Sequence, residues 1–550
     1  MFDKMIQHAY LRTVVLWSVI ISLAALSPTI YGYFHQMPGS LYSGLNDSIY
    51  PVDVNSYFAW IKQAYDGKLL FEDKFTTEMH HAWIFLPVFL FIGHTARLLH
   101  VDVMYVWYTV MLISNFLMLF ALYSFIKYFL ITQSSGGSRS DIAQTISEME
   151  DRRFNLDPRI ALITAFILAT VASGFGWFVG EFSADWWMPE MYLFQSMRWP
   201  FTFSLGTAMM LGVFLCLFRF IESGSMKCMV YAGSIVLMLS VVHPYDIFSI
   251  APIGLSYVFF MAFRDKKIKQ AVLGSTVFLA IAIPGVLYNY LIIVSDPVLK
   301  MQSEIAMASP SPLSYILGFG ILFPLGIWGA VIVVKKANRH YYFLLSWFLI
   351  GFGLLYAPFS FQRRLAMGLN IPLVILSTVA IGEIVRNLKR QWALVIIVAV
   401  IIFASAGNIM FLLNDAAVIE SGSFPCYISE DFRTALQWLD DNAKKTDVVL
   451  ASYDSGNFIP RYSGTRTFIG HWAQTNNAFR KSWETRIFYS TNTPESDMIH
   501  FLATNHIKYI LCTPREWSCS RDEWKSKVVA AGAQAVFANR SAVIYRVTLQ

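Results

Sequence analysis

Charge is scarce in this chain: 14% of its 550 residues are Asp, Glu, Lys or Arg, against 56% that are hydrophobic. That balance excludes an ordinary soluble enzyme and fits a chain that crosses a membrane many times. Nucleotide-binding signatures are also missing. The polar C-terminal part has no Gly-x-Gly-x-x-Gly and no P-loop, so no nucleotide site is expected there. Cysteines number five, and none has zinc-site spacing. Cys216 and Cys228 lie in or beside apolar runs and read as small apolar residues. Cys426, Cys512 and Cys519 lie in the polar part. If that part is extracytoplasmic, one pair among them is open to disulfide formation, with Cys512–Cys519 the simplest. No cleavage site follows the first apolar run, which therefore reads as a retained span. No internal repeat is evident, which weighs against a repeat-built lipid or polysaccharide transporter.

What is present is a long series of apolar runs with basic residues between them. Spans are expected at about 12–33, 103–131, 159–180, 200–220, 228–243, 245–263, 271–294, 313–334, 341–357, 371–385 and 392–412, eleven in all. The segment Trp83–Leu99 is too short to cross comfortably and reads as an interfacial or re-entrant helix. Lys4 and Arg12 place the N-terminus in the cytoplasm. The polar stretch 132–158, with Gly136, Arg139, Arg152 and Arg153, falls on the same side, as do Lys227, Arg264, Lys266, Lys267, Lys335, Lys336, Arg386, Lys389 and Arg390. The positive-inside alternation then leaves the C-terminus external. The division expected is a membrane module at 1–412, with an external loop at 34–100, and an extracytoplasmic α/β domain at 413–550. Strands are expected at 447–452, 466–470, 508–512 and 542–547, with helices at 431–441, 476–488, 495–504 and 521–531. The net charge of +6 is accounted for by the loop Lys and Arg residues and calls for no nucleic-acid partner.

The stretch Tyr50–His81 organises the rest. Asp53 opens an amphipathic segment in which Val54, Tyr57, Phe58, Ile61 and Tyr65 share one helical face, with Asn55, Lys62 and Asp66 off it. Gly67 is placed to end the helix. Such a helix is expected to lie in the bilayer interface with Tyr and Trp at headgroup depth. Asp53 reads as an N-cap for the amide of Asn55 or Ser56, and as a carboxylate at the water–lipid boundary able to act as a base.

Other polar clusters fall in the loops expected outside. Glu78, His80 and His81 close the first loop, as plain interface residues or substrate contacts. Glu181, Asp185 and Glu190 flank Trp186-Trp187, and Asp185 and Glu190 are candidates for an acceptor contact. With Asp53 they are also the candidate ligands for Mg²⁺ or Mn²⁺, since oxygen donors suit such ions. His243 and Asp246 flank Pro244 at membrane depth, where such groups are costly unless they line a cavity. Arg363 and Arg364 are adjacent on an external turn, against the positive-inside bias, and fit a phosphate. In the C-terminal part, Gly456–Pro460 and Gly470-His471-Trp472 read as loops that face the membrane cavity or as ordinary turns.

An acidic residue after the first span, a loop helix, many spans and an external C-terminal domain together resemble the C-type (GT-C) membrane glycosyltransferases. That superfamily includes the protein O-mannosyltransferases and the bacterial aminoarabinose lipid A transferase. The stretch Asp53–Gly67 is similar to the first-loop motif of bacterial members, and Ala435–Leu439 through Gly470-His471-Trp472 to the external domain of bacterial relatives. The loop ends in Met79-His80-His81, without the usual His-Pro-Pro, and Asp53 precedes Val54 where mannosyltransferases hold an Asp-Glu pair. Both departures argue against protein mannosylation, and the chain is short for oligosaccharide transfer to Asn. The resemblance implies a sugar donor on a polyprenyl phosphate, reached from the bilayer. It also implies a glycan, lipid or protein acceptor, and an inverting displacement on the extracytoplasmic face of a bacterial inner membrane. Asp53 would be the general base, and Arg363 and Arg364 would hold the departing phosphate. The competing readings are a lipid or polysaccharide transporter and a non-catalytic envelope-assembly protein.

Overall fold

The computed structural model describes residues 2–47, 52–132, 157–516 and 518–548, with the side chains of 2–10 left aside. Most of the expected cytoplasmic stretch 132–158, with Gly136, Arg139, Arg152 and Arg153, lies outside the described residues, as do Tyr50 and Pro51. The chain divides into two compact units. The first comprises Met1–Ser27, Thr109–Asn289 and Ala306–Leu413; the second comprises Pro28–Tyr108, Tyr290–Ile305 and Asn414–Gln550.

The first unit is a helical bundle. Among the described residues, eight helices of the chain are long and apolar enough to cross a membrane: Leu11–Phe34, Val103–Ile131, Pro158–Phe182, Phe201–Ser223, Pro244–Arg264, Ile268–Ser295, Gln362–Ile384 and Arg390–Glu420. A ninth is counted if Pro312–Phe319 and Leu322–Lys335, bent by 86°, are one broken span. The chain is therefore a multi-pass membrane protein, but with fewer full-length helices than the eleven expected. The run at 228–243 forms only Met226–Leu239, and that at 341–357 only Tyr342–Leu354. Helices of 14 and 13 residues are about 20 Å long, short of a hydrocarbon core of about 30 Å. Apolar composition located both helices but overstated their length.

Asn370–Ile384 is buried almost throughout and forms the bundle's centre. Leu322–Lys335 packs on it through glycines: a Cβ at Gly329 would sit 1.9 Å from the Leu376 carbonyl oxygen, and one at Gly326 would sit 2.6 Å from the Leu373 side chain. Small residues at this spacing bring two backbones together where packing, not hydrophobic expulsion, drives association. A ring cluster of Phe125, Phe129, Phe214, Phe218, Phe343 and Trp347 fills another layer, with edge-on contacts such as Phe218–Phe343 at 4.8 Å.

The second unit joins the first loop to the C-terminal α/β part. Five strands form one sheet in the order Arg466–Thr467, Val448–Leu450, Ile507–Cys512, Val543–Val547, Ala533–Ala538. The first two neighbouring pairs are parallel and the last two antiparallel. Helices Glu430–Asn442, Ala478–Phe488, Glu495–Thr504 and Asp522–Ala530 accompany it, close to their expected positions. The edge strand Ala533–Ala538 was not expected, because half of its side chains are exposed and its pattern carries little alternation. A second, two-stranded sheet pairs Ser40–Tyr42 antiparallel with Tyr427–Ser429.

The helix opened by Asp53 is Val54–Tyr65. It ends as expected: Gly67, at φ 95°, donates to the Ala64 carbonyl, and Lys68 to that of Gln63, closing a Schellman turn. Its surroundings differ from expectation. Phe58, Ile61 and Ala64 are buried against protein. Pro87–Leu99 packs on it so closely that a Cβ at Gly93 would lie 2.5 Å from that of Ala64. Asn55, placed on the watery side by the pattern, is also buried. An amphipathic pattern marks the buried face but does not say whether lipid or protein covers it.

Candidate functional site

Asp53 stands one residue before the helix Val54–Tyr65, already in helical conformation at φ −59° and ψ −32°. The expected N-cap bond is therefore absent. The Asn55 amide donates to the Val52 carbonyl, the Ser56 amide faces the Asp53 carbonyl, and the carboxylate is turned elsewhere. The Trp472 indole Nε1 donates to Asp53 Oδ1 at 3.1 Å, and His471 Nε2 lies 3.5 Å from the same oxygen. The Ala473 amide donates to His471 Nδ1 at 3.2 Å. With Nδ1 accepting, the neutral imidazole carries its proton on Nε2, toward Asp53. Among the described residues both contacts fall on Oδ1. The Asp53 side chain is 22% exposed, so the carboxylate is not closed off from solvent.

The loop bearing His471 is fixed from below. Asn457 Nδ2 donates to the Gly470 carbonyl at 2.9 Å, the Gly470 amide to Thr475 Oγ1, and Thr475 Oγ1 to the Phe75 carbonyl at 2.8 Å. A Cβ at Gly456 would sit 1.9 Å from the Ile469 carbonyl oxygen, so only glycine admits this crossing. The two C-terminal segments chosen from the sequence do meet, but Gly456–Pro460 is no open loop: Phe458 and Ile459 are fully buried in the α/β core.

Beneath His471 lies a carboxylate that sequence reasoning passed over. Asp73 is buried, accepting from the Phe75 amide at 2.7 Å and from Gln302 Nε2 at 2.6 Å. Burial raises its pKa above the ordinary range, against the opposing pull of those two bonds and of His80 and His471. Its signal was a charged pair, Asp73-Lys74, set between Phe71 and Phe75 in an otherwise loop-like stretch. Lys74 is likewise buried, bridging Glu72 Oε1 at 2.6 Å and the Lys445 carbonyl, while Arg466 pairs with Glu72 Oε2.

Glu78 pairs with Lys481 at 2.8 Å and accepts from Thr76. Burial would raise its pKa, but Lys481 and Thr76 hold it below the ordinary glutamate range. His80 Nδ1 meets the Glu78 carbonyl at 2.8 Å, and its buried Nε2 makes no hydrogen bond among the described residues. His81 uses its backbone amide, on Asp296 Oδ2 at 2.9 Å, and stacks its ring on Trp83 at 4.5 Å.

In the first unit, Asp185 is committed to structure. Its carboxylate accepts from the amides of Gly174 and Gly176 at 2.8 and 3.0 Å and from Ser183 Oγ at 2.5 Å. That contradicts its reading as an acceptor or metal contact. Glu190 is also committed, pairing with Arg364 Nη1 at 2.5 Å. Arg363 lies over the Trp187 ring at 5.6 Å, and its buried Nε makes no hydrogen bond among the described residues. His243 and Asp246 are brought together, Nδ1 to Oδ1 at 3.0 Å, both buried. Among the described residues no group of three or more His, Cys, Asp or Glu side chains is arranged to hold a metal. The donor set Asp53, Asp185 and Glu190 does not fit one, because Asp185 is saturated by amides and Glu190 is neutralised by Arg364.

No protein-family model matches the chain, and no curated protein matches its sequence. Its fold does match solved structures. The apo oligosaccharyltransferase of Archaeoglobus fulgidus aligns at TM-score 0.53 and 14% identity, over 91% of this chain and 69% of that one. The same enzyme with zinc and sulfate aligns at 0.51 and 11%, over 90% and 67%. ArnT from Cupriavidus metallidurans, bound to undecaprenyl phosphate, aligns at 0.50 and 11%, over 98% of each chain. At these identities the likeness is one of fold alone: the chain shares the fold of these two membrane proteins over nearly its whole length.

Proposed function

We propose that this protein is a membrane glycosyltransferase that moves a sugar from a polyprenyl-phosphate donor to an acceptor hydroxyl, with inversion, on the extracytoplasmic face of a bacterial inner membrane. The observation that carries the reading is the Asp53 carboxylate, oriented through Oδ1 by Trp472 and His471 and still partly exposed. Its support is the shared fold with an oligosaccharyltransferase and with a protein bound to undecaprenyl phosphate.

In this reading Asp53 takes the acceptor's hydroxyl proton as its oxygen attacks the anomeric carbon. The bond from that carbon to the phosphate oxygen breaks, and its electron pair leaves with the lipid phosphate. Arg363 is the principal phosphate partner, because among the described residues its guanidinium has no carboxylate on it, whereas Arg364 is already paired with Glu190. Arg364 then contributes by position and field. His471 orients Asp53, while Glu78, His80 and His81 shape the loop around it. His243 and Asp246 are candidates for substrate contact. No step passes through a metal ion. The N-terminus is cytoplasmic and residues 413–550 are extracytoplasmic, which matches a lipid-borne donor, since free nucleotide sugars stay inside.

The test is direct. Purified protein in nanodiscs is given a radiolabelled sugar on polyprenyl phosphate, with and without a crude envelope-lipid acceptor fraction. Transfer or release of label, lost in Asp53→Asn, supports the reading. No label movement from any polyprenyl-phosphate sugar overturns it.

A further inference from the structure

The helix Ala478–Phe488 carries an apolar stripe that is exposed among the described residues. Phe479 is 93% exposed and Trp483 62%, and Ile487 is exposed beside them. Spacing of four residues puts all three along one side of the helix. Arg480 and Arg486, exposed, flank the stripe. Lys481, on the opposite side, is buried against Glu78.

This helix is tied to the outer end of a membrane span by three connections within the second unit. The span Ile268–Ser295 stops at Ser295, and the next residue, Asp296, caps the short helix Pro297–Ser303 by accepting from the amides of Val298 and Leu299. From that short helix, Gln302 Nε2 donates to the Gln474 carbonyl at 2.8 Å, four residues before Ala478. Asp296 Oδ2 also accepts from the His81 amide, and three residues before His81 Glu78 holds Lys481. Met79 lies between those two fixed points and is 91% exposed. Met79, Phe479 and Trp483 are thus presented next to the point where the chain leaves the hydrocarbon.

We infer that this stripe, with Met79, inserts into the headgroup region of the outer leaflet and anchors the α/β part to the bilayer. A Phe, a Trp and a Met flanked by arginines are what an interfacial helix presents, and Trp settles at headgroup depth. The occupant is the lipid surface because the stripe is continuous with a span end. Ile487 also lines a cleft against the helix Glu495–Thr504, whereas Phe479 and Trp483 stand outside it. The inference does not depend on the transferase reading, and its test reads depth, not activity.

The experiment places a nitroxide at Phe479→Cys or Trp483→Cys in the full-length protein, reconstituted in nanodiscs of phosphatidylethanolamine and phosphatidylglycerol. Asp522→Cys, at a side chain 98% exposed, serves as the aqueous reference, and unmutated protein gives the background from native thiols. Collision with oxygen at least threefold above collision with a water-soluble nickel chelate at 479 and 483, with the reverse at 522, supports insertion. Nickel-dominated collision at 479 and 483 overturns it in favour of a solvated surface. Exclusion of both reagents overturns it in favour of a protein partner or second copy. Circular dichroism of each labelled variant confirms that the fold is retained.

Discussion

The Trp472 indole donates a hydrogen bond to the carboxylate of Asp53, from 419 residues further along the chain. A base oriented by a rigid donor on one oxygen loses less entropy when the other oxygen meets substrate. Asp53→Asn keeps the shape and the contact to Trp472 but cannot take a proton at neutral pH. Transfer is expected to fall by about 10²–10⁴-fold, the usual weight of a general base. Trp472→Phe, which removes only the donor, is expected to cost about tenfold with little change in acceptor KM. Initial rates on a polyprenyl-phosphate sugar check both, and near-normal turnover in Asp53→Asn removes Asp53 as the base.

Arg461 connects the C-terminal part to the first loop and is buried. Its guanidinium donates to Asn55 Oδ1 at 2.8 Å and to the Ser43 carbonyl at 2.6 Å, and lies 4.1 Å from the Phe58 ring centroid. Arg461→Met keeps the bulk but leaves two buried acceptors without a donor. The expected loss is about 2–4 kcal/mol of stability, since each orphaned buried group costs about 1–3 kcal/mol. Thermal unfolding followed by near-UV dichroism checks it. Arg461→Lys is expected to recover only part, because one ammonium does not reproduce the fork. An unchanged midpoint in Arg461→Met would show that water replaces the guanidinium.

These relationships show where sequence reading reached its limit. The strands at 448–450, 507–512 and 543–547 and the helix stop at Gly67 were legible because burial period and turn chemistry are local. The His471–Asp53 approach was not, since nothing in either segment's composition names its partner. Sequence shows the charge of Asp185 and Glu190 but not its neighbours. Folding gave one to the amides of Gly174 and Gly176 and the other to Arg364. Asp73 was overlooked for the opposite reason: a buried carboxylate in a loop leaves no periodic trace.

Acid should loosen the second unit through Glu72. Burial would raise its pKa, but Lys74 and Arg466 hold it below the ordinary value of 4.5. A carboxyl with a depressed folded pKa contributes stability that is complete above the unfolded value and fades as pH falls through the folded one. Asp73, raised by burial, has the opposite sign and partly offsets the loss in acid. Glu72→Gln is expected to unfold at a lower temperature than wild type at pH 7, with the gap closing below about pH 4.5. Melting curves of both proteins from pH 7 to pH 3.5 check it. A gap independent of pH would mean that packing, not charge, gives Glu72 its weight.

Glu190 and Arg364 should behave as one unit in the membrane bundle. Glu190 is fully buried, so removing either partner strands the other in a poorly solvated place. Each of Glu190→Gln and Arg364→Gln is expected to lower stability by about 3 kcal/mol, and the double substitution by clearly less than the sum. The double-mutant cycle is read from thermal unfolding in detergent. Additive losses would dissolve the pair and return Arg364 to the same standing as Arg363 for phosphate.

The cysteines give a chemical check on the second unit. Cys512 and Cys519 form a disulfide with Cα atoms 5.7 Å apart, whereas Cys216, Cys228 and Cys426 are free. Denatured but unreduced protein should titrate three thiols, and reduced protein all five. The bond joins the end of the central strand Ile507–Cys512 to the turn that holds Glu516, whose carboxylate accepts from the Thr513 and Ser452 amides. Closing so short a loop is worth about 2–3 kcal/mol in the chain-entropy account. Cys512→Ser with Cys519→Ser should therefore lower the melting temperature of the α/β part while leaving the membrane bundle's helical signal intact. Five free thiols in protein prepared without reductant would place this part of the chain in a reducing compartment and remove the extracytoplasmic assignment on which the lipid-linked donor rests.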